Sequence, residues 1–193
     1  MWFLGGVVFD LDPGGAVVHS CLDGLDRSAV PVAEEIISDA FAKGLYLALA
    51  ESITAGLICS TLVDVPGSSK VVLGGINAYQ DQIKTQTLGV SPSLLQMQSA
   101  VDPEVAAQMA SGVRTKFASA MNLEEARVIG LSTTGVAGPD PVGHHGVGEV
   151  YLAISSERGT KVFAEQFEGT RSEIRISCLE RALVLLREEI GLF

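Results

Sequence analysis

Two short segments of this 193-residue chain carry side chains with the types and spacing needed for acyl-transfer chemistry. Ser52 lies in the sequence Ala-Glu-Ser-Ile-Thr-Ala-Gly, directly after an apolar run, and a serine attacks a carbonyl carbon when a base takes its proton. Lys84, five residues after Tyr79, could be that base if burial keeps its amine neutral. The alternatives are a serine that only caps a helix and a lysine that is solvated at the surface.

Backbone groups near these residues could bind an anion or a developing oxyanion. A helix is predicted to open near Thr54, Ala55 and Gly56, and the first N–H groups of a helix have no intrahelical partner. Segment 134–138, Thr-Gly-Val-Ala-Gly, could cradle a phosphate or form a plain turn. Arg171 could hold a phosphate or pair with a neighbouring glutamate.

The cysteines and histidines do not predict a metal site. The cysteines lie far apart without a CxxC pair, which is typical of reduced thiols in the cytoplasm. His144 and His145 lack ligand spacing to them and lie in a long loop, where adjacent histidines are usually polar filler. We therefore expect no metal and no catalytic histidine. The three cysteines are Cys21, Cys59 and Cys178.

The elements that must position these residues alternate between strands and helices. Apolar runs predict strands over 45–50, 71–79, 127–133, 147–156 and 161–167. Helices are predicted from Pro31, over 54–63, from Pro103 after an Asp102 N-cap, and from a Thr170 capping box to the end of the chain. This alternation predicts an α/β domain with a mostly parallel sheet and a late antiparallel hairpin.

Residues 1–30 differ from the rest, because they are acidic and show no helical period. We predict an extended or poorly ordered arm there, followed by one domain over 31–193. A loose tail or a misassigned start codon is the alternative. The apolar run over residues 1–9 is too short to cross a bilayer, which needs roughly 20 residues, and lacks the basic flank of a secretory signal.

Charge excludes two classes of partner. The chain has 13 Lys and Arg against 23 Asp and Glu, a formal net charge of −10. Duplex nucleic acid and anionic membranes are both bound through basic residues, so we expect neither as a partner. The composition predicts a cytoplasmic protein.

Seven motifs in order give the chain a recognisable resemblance. Over residues 31–190 it resembles the C-terminal domain of the CinA (competence/damage-inducible) family, which also occurs as stand-alone nicotinamide-nucleotide amidases. The motifs are Ala-Glu-Ser-x-Thr-x-Gly at 50–56, Asp-Val-Pro-Gly-Ser-Ser at 64–69, Gly74-Gly75 through Tyr79 to Lys84, Leu-Gly-Val at 88–90, Thr-Gly-Val-Ala-Gly-Pro at 134–139, Gly-x-Val-Tyr at 148–151 and Gly169-x-Arg171.

This resemblance implies a three-layer α/β/α sandwich and an enzyme that hydrolyses the carboxamide of nicotinamide mononucleotide to nicotinate mononucleotide and ammonia. It also implies no cofactor and a homo-oligomer, a dimer or a trimer. We assign catalysis to Ser52, Lys84 and Tyr79. The expected substrate-binding residues are Glu51, Thr54, Ala55, Gly56, Gly75, Thr134, Gly135, Ala137, Gly138 and Arg171.

Two of the departures of the chain from the family pattern bear on its function. Ala55 stands where the family usually has glycine, and glycine is freer in conformation. The loop after Pro139 lacks the usual Lys-Pro and reads His144-His145-Gly146. These departures motivate an alternative function, a catalytically impaired member that binds a nucleotide or a protein partner.

Overall fold

A computed structural model gives the structure of residues 29–193. The predicted arm therefore lies outside the described residues, except that Ala29 and Val30 open the first helix. The helices are α1 Ala29–Lys43, α2 Leu57–Val63, α3 Asp81–Leu88, α4 Pro92–Gln98, α5 Pro103–Ala120 and α6 Arg171–Gly191. The strands are β1 Tyr46–Glu51, β2 Val72–Asn77, β3 Val128–Gly135, β4 Glu149–Ser156 and β5 Gly159–Gln166.

The five strands form one mixed sheet in the order β2-β1-β3-β4-β5. Strand β1 pairs in parallel with β2 and β3, whereas β4 pairs antiparallel with both β3 and β5. Four strands therefore run in one direction and β4 runs in the other. This confirms the predicted α/β fold and its late hairpin, and it adds an antiparallel pairing between β3 and β4.

Helices cover both faces of the sheet because side chains alternate along each strand. Leu47 and Leu49 of β1 belong to the core under α1, α2 and α6. Ala48 and Ala50 belong to the core under α3, α4 and α5. The result is the three-layer arrangement of helix, sheet and helix. No helix within residues 29–193 is long and apolar enough to cross a bilayer.

Helix α5 lies unusually close to the sheet, since the residues between them are small. A Cβ added to Gly130 of β3 would collide with the carbonyl oxygen of Ala110. The hydroxyl of Ser132 donates to the carbonyl of Ala106 at 2.6 Å, and that of Thr134 donates to the carbonyl of Ala100 at 2.6 Å. The first bond fixes the N-terminal half of α5 against β3, and the second fixes the segment that precedes α5.

Sequence patterns located the long elements and missed two short ones. Asp102 caps α5 and Thr170 forms a capping box with Glu173, as predicted. Helices α3 and α4 were not predicted. Helix α2 begins at Leu57 rather than Thr54, because Ala55 (φ 51°) and Gly56 (φ 96°) are left-handed and cannot continue a helix.

Candidate active site

Three strands end together at one edge of the sheet. Glu51, the last residue of β1, is level with Asn77 of β2 and Thr133 of β3. The N–H of Ser52 donates to the carbonyl of Thr133 at 3.0 Å, and the N–H of Ala78 donates to the carbonyl of Glu51 at 2.8 Å. The segments that follow these strands are therefore neighbours, at the edge where α/β domains bind ligands.

A cavity of about 200 Å³, which we call the edge pocket, lies at this edge. It brings together the three residues predicted to be catalytic and five of those predicted to bind substrate. These are Ser52, Tyr79, Lys84, Thr134, Gly135, Ala137, Gly138 and Arg171. One further lining residue, Val136, belongs to the predicted segment 134–138. The lining residues that were not predicted are Ile53, Ala100, Val101, Asp140 and Val142.

Lys84 is buried, and its side chain is only 1% exposed. Its Nζ donates to the carbonyl of Tyr79 at 3.1 Å and lies 3.4 Å from the Asp81 carboxylate. Burial lowers the pKa of Lys84 below its ordinary value, and the charge of the exposed Asp81 offsets this only in part. The amine is thus more readily deprotonated than a surface lysine, which suits a general base.

Arg171 connects two walls of the edge pocket. Its Nη1 donates to the carbonyl of Gly138 at 2.7 Å, and its Nη2 donates to the Tyr79 hydroxyl at 3.3 Å. The guanidinium carries five N–H donors, so further donors remain for a ligand. Since Arg171 begins α6, a cation stands there although the helix dipole disfavours it.

Glu51 does not face the edge pocket, which corrects the expectation that it binds substrate. It is fully buried and its carboxylate accepts three backbone N–H bonds, from Gly56 (2.8 Å), Ile58 (3.2 Å) and Cys59 (2.9 Å). Glu51 therefore caps the start of α2. The N–H of Gly56 is occupied by this bond, so it is not free for an oxyanion.

Four further predicted residues also lie away from the edge pocket. Thr54 is buried and bonds the Thr133 hydroxyl at 2.8 Å. Ala55 is exposed and holds the left-handed turn that leads into α2. Gly56 follows it in the same turn, and Gly75 packs against Cys59 beneath α2. Thr54, Ala55 and Gly56 thus shape the turn after Ser52, and Gly75 is part of β2. None of the four lines the edge pocket.

Arg175 supports the serine turn, and the sequence analysis did not find it. Its Nε donates to the carbonyl of Ile53 at 3.0 Å, and its Nη2 donates to the carbonyl of Thr54 at 2.8 Å. It lies one helical turn after Arg171 on α6, and this i, i+4 spacing places both arginines on one face. The spacing of four residues between the two arginines could have indicated Arg175 from the sequence.

The two adjacent histidines differ, which corrects their joint interpretation as filler. His144 is exposed, whereas His145 is 6% exposed and bonds Ser99 and Glu149. Among residues 29–193, no group of three or more His, Cys, Asp or Glu side chains could hold a metal ion.

The chain is a three-layer α/β domain of the class that carries its site at the carboxyl ends of its parallel strands. Ser52 and the buried Lys84 both lie in that site. Within that class the chain belongs to the CinA C-terminal domain family, whose model matches residues 29–190.

Curated relatives carry names that agree with this family. A CinA-like protein of Desulfotalea psychrophila is 40% identical over 166 residues, which is 85% of this chain and 38% of that protein. A putative competence-damage inducible protein of Desulforamulus reducens is 38% identical over 162 residues, 84% of this chain and 37% of that protein. The chain thus spans less than two fifths of the length of these relatives.

Solved structures show the same fold. The competence/damage inducible protein CihA from Agrobacterium tumefaciens has a TM-score of 0.76 at 30% identity, covering 86% of this chain and 98% of that one. A CinA superfamily protein from Klebsiella pneumoniae has a TM-score of 0.77 at 20% identity, covering 86% and 99%. At 20% identity, the similarity to the Klebsiella pneumoniae protein shows a shared fold and nothing more.

Proposed function

We propose that this domain hydrolyses the carboxamide of nicotinamide mononucleotide, giving nicotinate mononucleotide and ammonia. The observation that carries the proposal is the buried Lys84, with its lowered pKa, lining the same pocket as Ser52. A neutral amine within reach of a serine hydroxyl can activate the serine without a histidine. The shared pocket and the lowered pKa of Lys84 support this arrangement here.

The reaction proceeds through an acyl-enzyme. The Ser52 oxygen attacks the carboxamide carbon while neutral Lys84 takes the hydroxyl proton, forming a tetrahedral oxyanion. As the oxyanion collapses, the C–N bond breaks and the Lys84 ammonium returns the proton to the departing ammonia. Water then attacks the ester and Lys84 takes a proton from it. Lys84 passes that proton to the Ser52 oxygen as the ester bond breaks, and nicotinate mononucleotide is released.

The walls of the edge pocket offer groups for the two ends of this substrate. Glu51 occupies the Gly56 N–H, and the Val136 N–H donates to the carbonyl of Glu149. We therefore assign the oxyanion donors to the backbone N–H groups of Ala137 and Gly138, which line the pocket. A cavity of about 200 Å³ is smaller than the roughly 300–1,000 Å³ of most ligand sites. It suits the nicotinamide ring, with the phosphate at the mouth near Arg171.

Tyr79 contributes through its backbone in this scheme. Its carbonyl accepts the bond from Lys84 Nζ and so orients the amine, while its half-exposed ring reaches Arg171. We further propose that the domain acts in the cytoplasm, without metal or cofactor, as a homodimer or homotrimer.

An ammonia-release assay on nicotinamide mononucleotide tests the proposal. Ser52→Ala should lower turnover at least about 1,000-fold, because the attacking atom is lost. Lys84→Met should have a comparable effect, since it keeps the buried stem and removes the base. Ser60→Ala and Lys116→Met change exposed residues of the same types and should leave the rate unchanged. If the unmodified chain releases no ammonia, or if Ser52→Ala keeps full activity, the proposal is wrong.

A second candidate function is binding of the nucleotide without turnover. The observation in its favour is that the N–H groups expected to stabilise an oxyanion after Ser52 include one already used by Glu51, while Ala55 holds a strained left-handed backbone. Saturable binding of nicotinamide mononucleotide by calorimetry, with no ammonia released, would select this function over the first.

A further inference from the structure

A chain of hydrogen bonds runs from the end of α4 to β4, beside the edge pocket. His145 Nε2 bonds the Ser99 hydroxyl at 3.0 Å, and His145 Nδ1 bonds the Glu149 carboxylate at 2.8 Å. The same carboxylate oxygen accepts a bond from the Tyr151 hydroxyl at 3.0 Å. We call these four residues the His145 bridge.

One end of the bridge holds the segment between α4 and α5. Ser99 ends α4, and the next two residues, Ala100 and Val101, line the edge pocket. The Ser99 oxygen also accepts a bond from the N–H of Val101 at 3.2 Å. The position of this wall therefore depends on where the Ser99 side chain is held.

His145 itself lies in the loop between β3 and β4, so the bridge also holds this loop. Gly138, Asp140 and Val142 of this loop line the edge pocket. Val142 and His145 exchange backbone hydrogen bonds at 3.1 and 3.0 Å, so the imidazole is attached to a closed turn. Fixing His145 thus fixes the wall that carries Val142.

Ser99 adopts a backbone conformation that side chains rarely adopt. Its φ is 76° and its ψ is 178°, a strained region that is sparsely populated except by glycine. Such strain persists only where surrounding contacts over-determine it. The side chain of Ser99 makes two hydrogen bonds that can hold it in this conformation, one with His145 Nε2 and one from the Val101 N–H.

Glu149 anchors the imidazole. Burial raises the pKa of Glu149, but the bonds from His145 and Tyr151 outweigh it, so the pKa lies below its ordinary value. One carboxylate oxygen of Glu149 bonds both His145 Nδ1 and the Tyr151 hydroxyl, while His145 Nε2 bonds the Ser99 hydroxyl. The ring is therefore held on both of its nitrogens.

We propose that His145 is a positioning residue that joins the two walls of the edge pocket and so sets its affinity for the nucleotide. The affinity part of this proposal rests on the proposed function. The connectivity is that of a serine, histidine and carboxylate relay, but Ser99 is not a lining residue of the pocket and its oxygen is turned to the Val101 N–H. The bridge therefore acts on geometry and takes no part in bond cleavage.

Four variants test the bond from His145 to Ser99 separately from the bond to Glu149. His145→Ala removes both bonds. His145→Gln places an amide near the position of Nε2 and can keep Ser99, whereas His145→Asn places one near Nδ1 and can keep Glu149. His144→Ala is the matched control, because His144 is exposed and only stacks on His145, with the ring centres 4.0 Å apart.

Two measurements are made on each variant. The first is steady-state ammonia release from nicotinamide mononucleotide. His145→Ala should raise KM about tenfold, an effect within the range expected for the loss of two side-chain hydrogen bonds, while kcat stays within about twofold. His145→Gln and His145→Asn should fall between His145→Ala and the unmodified chain, and His144→Ala should match the unmodified chain.

The second measurement is amide hydrogen exchange, which needs no activity. His145→Ala should speed exchange in both segments, 99–101 and 139–147, and His144→Ala in neither. Unchanged exchange in His145→Ala, or equal effects of the two alanine variants, would overturn the proposal. A chain without amidase activity counts against the proposed function, and exchange then decides the bridge alone. If His145→Ala does not fold, Ser99→Ala is measured in its place, with the same outcomes.

Discussion

The protonation state of Lys84 links the structure of the edge pocket to its chemistry. Burial lowers the pKa of its amine, while the Asp81 carboxylate, 3.4 Å away, raises it. The net direction is downward, so the neutral fraction of Lys84 at a given pH exceeds that of a surface lysine. The amine of Lys84 must be neutral to accept a proton. The activity that depends on it should therefore rise as the pH rises.

We expect kcat/KM for ammonia release to rise with pH through the lowered pKa of Lys84 and then to level off. Asp81→Asn removes the charge that raises this pKa, so the rising limb should move to lower pH. The measurement is a profile of kcat/KM from about pH 5.5 to about 9.5. Asp39→Asn changes an exposed carboxylate on α1 and should leave the limb in place. A limb that does not move in Asp81→Asn would remove Lys84 as the titrating base.

Single residues were predictable where their chemistry was local. Ser52 and Lys84 stood out because their types and the strand ends near them were visible in the sequence. Glu51 could not be interpreted this way, because its role depends on α2 beginning at Leu57, after two left-handed residues. His145 was missed for a related reason, since both of its partners are set by tertiary contacts.

Elements were predictable where their apolar period was long. Helices α5 and α6 and strands β1 and β3 follow their sequence patterns closely. Helix α3 is short and largely polar, with one residue pair anchoring it, Lys84 and Leu88, and such a segment shows little apolar period. The close packing of α5 on β3 was equally hidden, because it depends on which small residues face each other.

That close packing makes Gly130 a sensitive position. Gly130→Ala should lower the free energy of unfolding by about 1–3 kcal/mol, since its Cβ would collide with the backbone of α5. Urea denaturation followed by circular dichroism measures this change. Gly191→Ala, where an added Cβ meets nothing within 4 Å, should change stability by no more than about 0.5 kcal/mol. Equal stability of Gly130→Ala and the unmodified chain would show that α5 moves away at no cost.

At the scale of the whole molecule, the charges affect which partners can bind. The formal net charge is −10, and many of the basic side chains already have partners within the domain. Arg175 is bound to backbone carbonyls, and Lys84 is buried. Other basic residues lie in ion pairs with carboxylates, namely Arg114 with Glu125, Lys161 with Glu189, Arg181 with Glu165 and Arg187 with Glu35.

This distribution predicts that the chain does not bind duplex DNA, although relatives are named competence-damage inducible proteins. Binding to a duplex requires several lysines or arginines to neutralise phosphates and release counterions, and it strengthens as salt is lowered. We therefore expect no mobility shift of a duplex by about 10 µM protein, even in about 50 mM salt, where non-specific binding by basic proteins is strong. A basic protein of similar size serves as the positive control. A shift that disappears as salt is raised would contradict the prediction, because it would show that basic residues cluster on a face despite the overall charge.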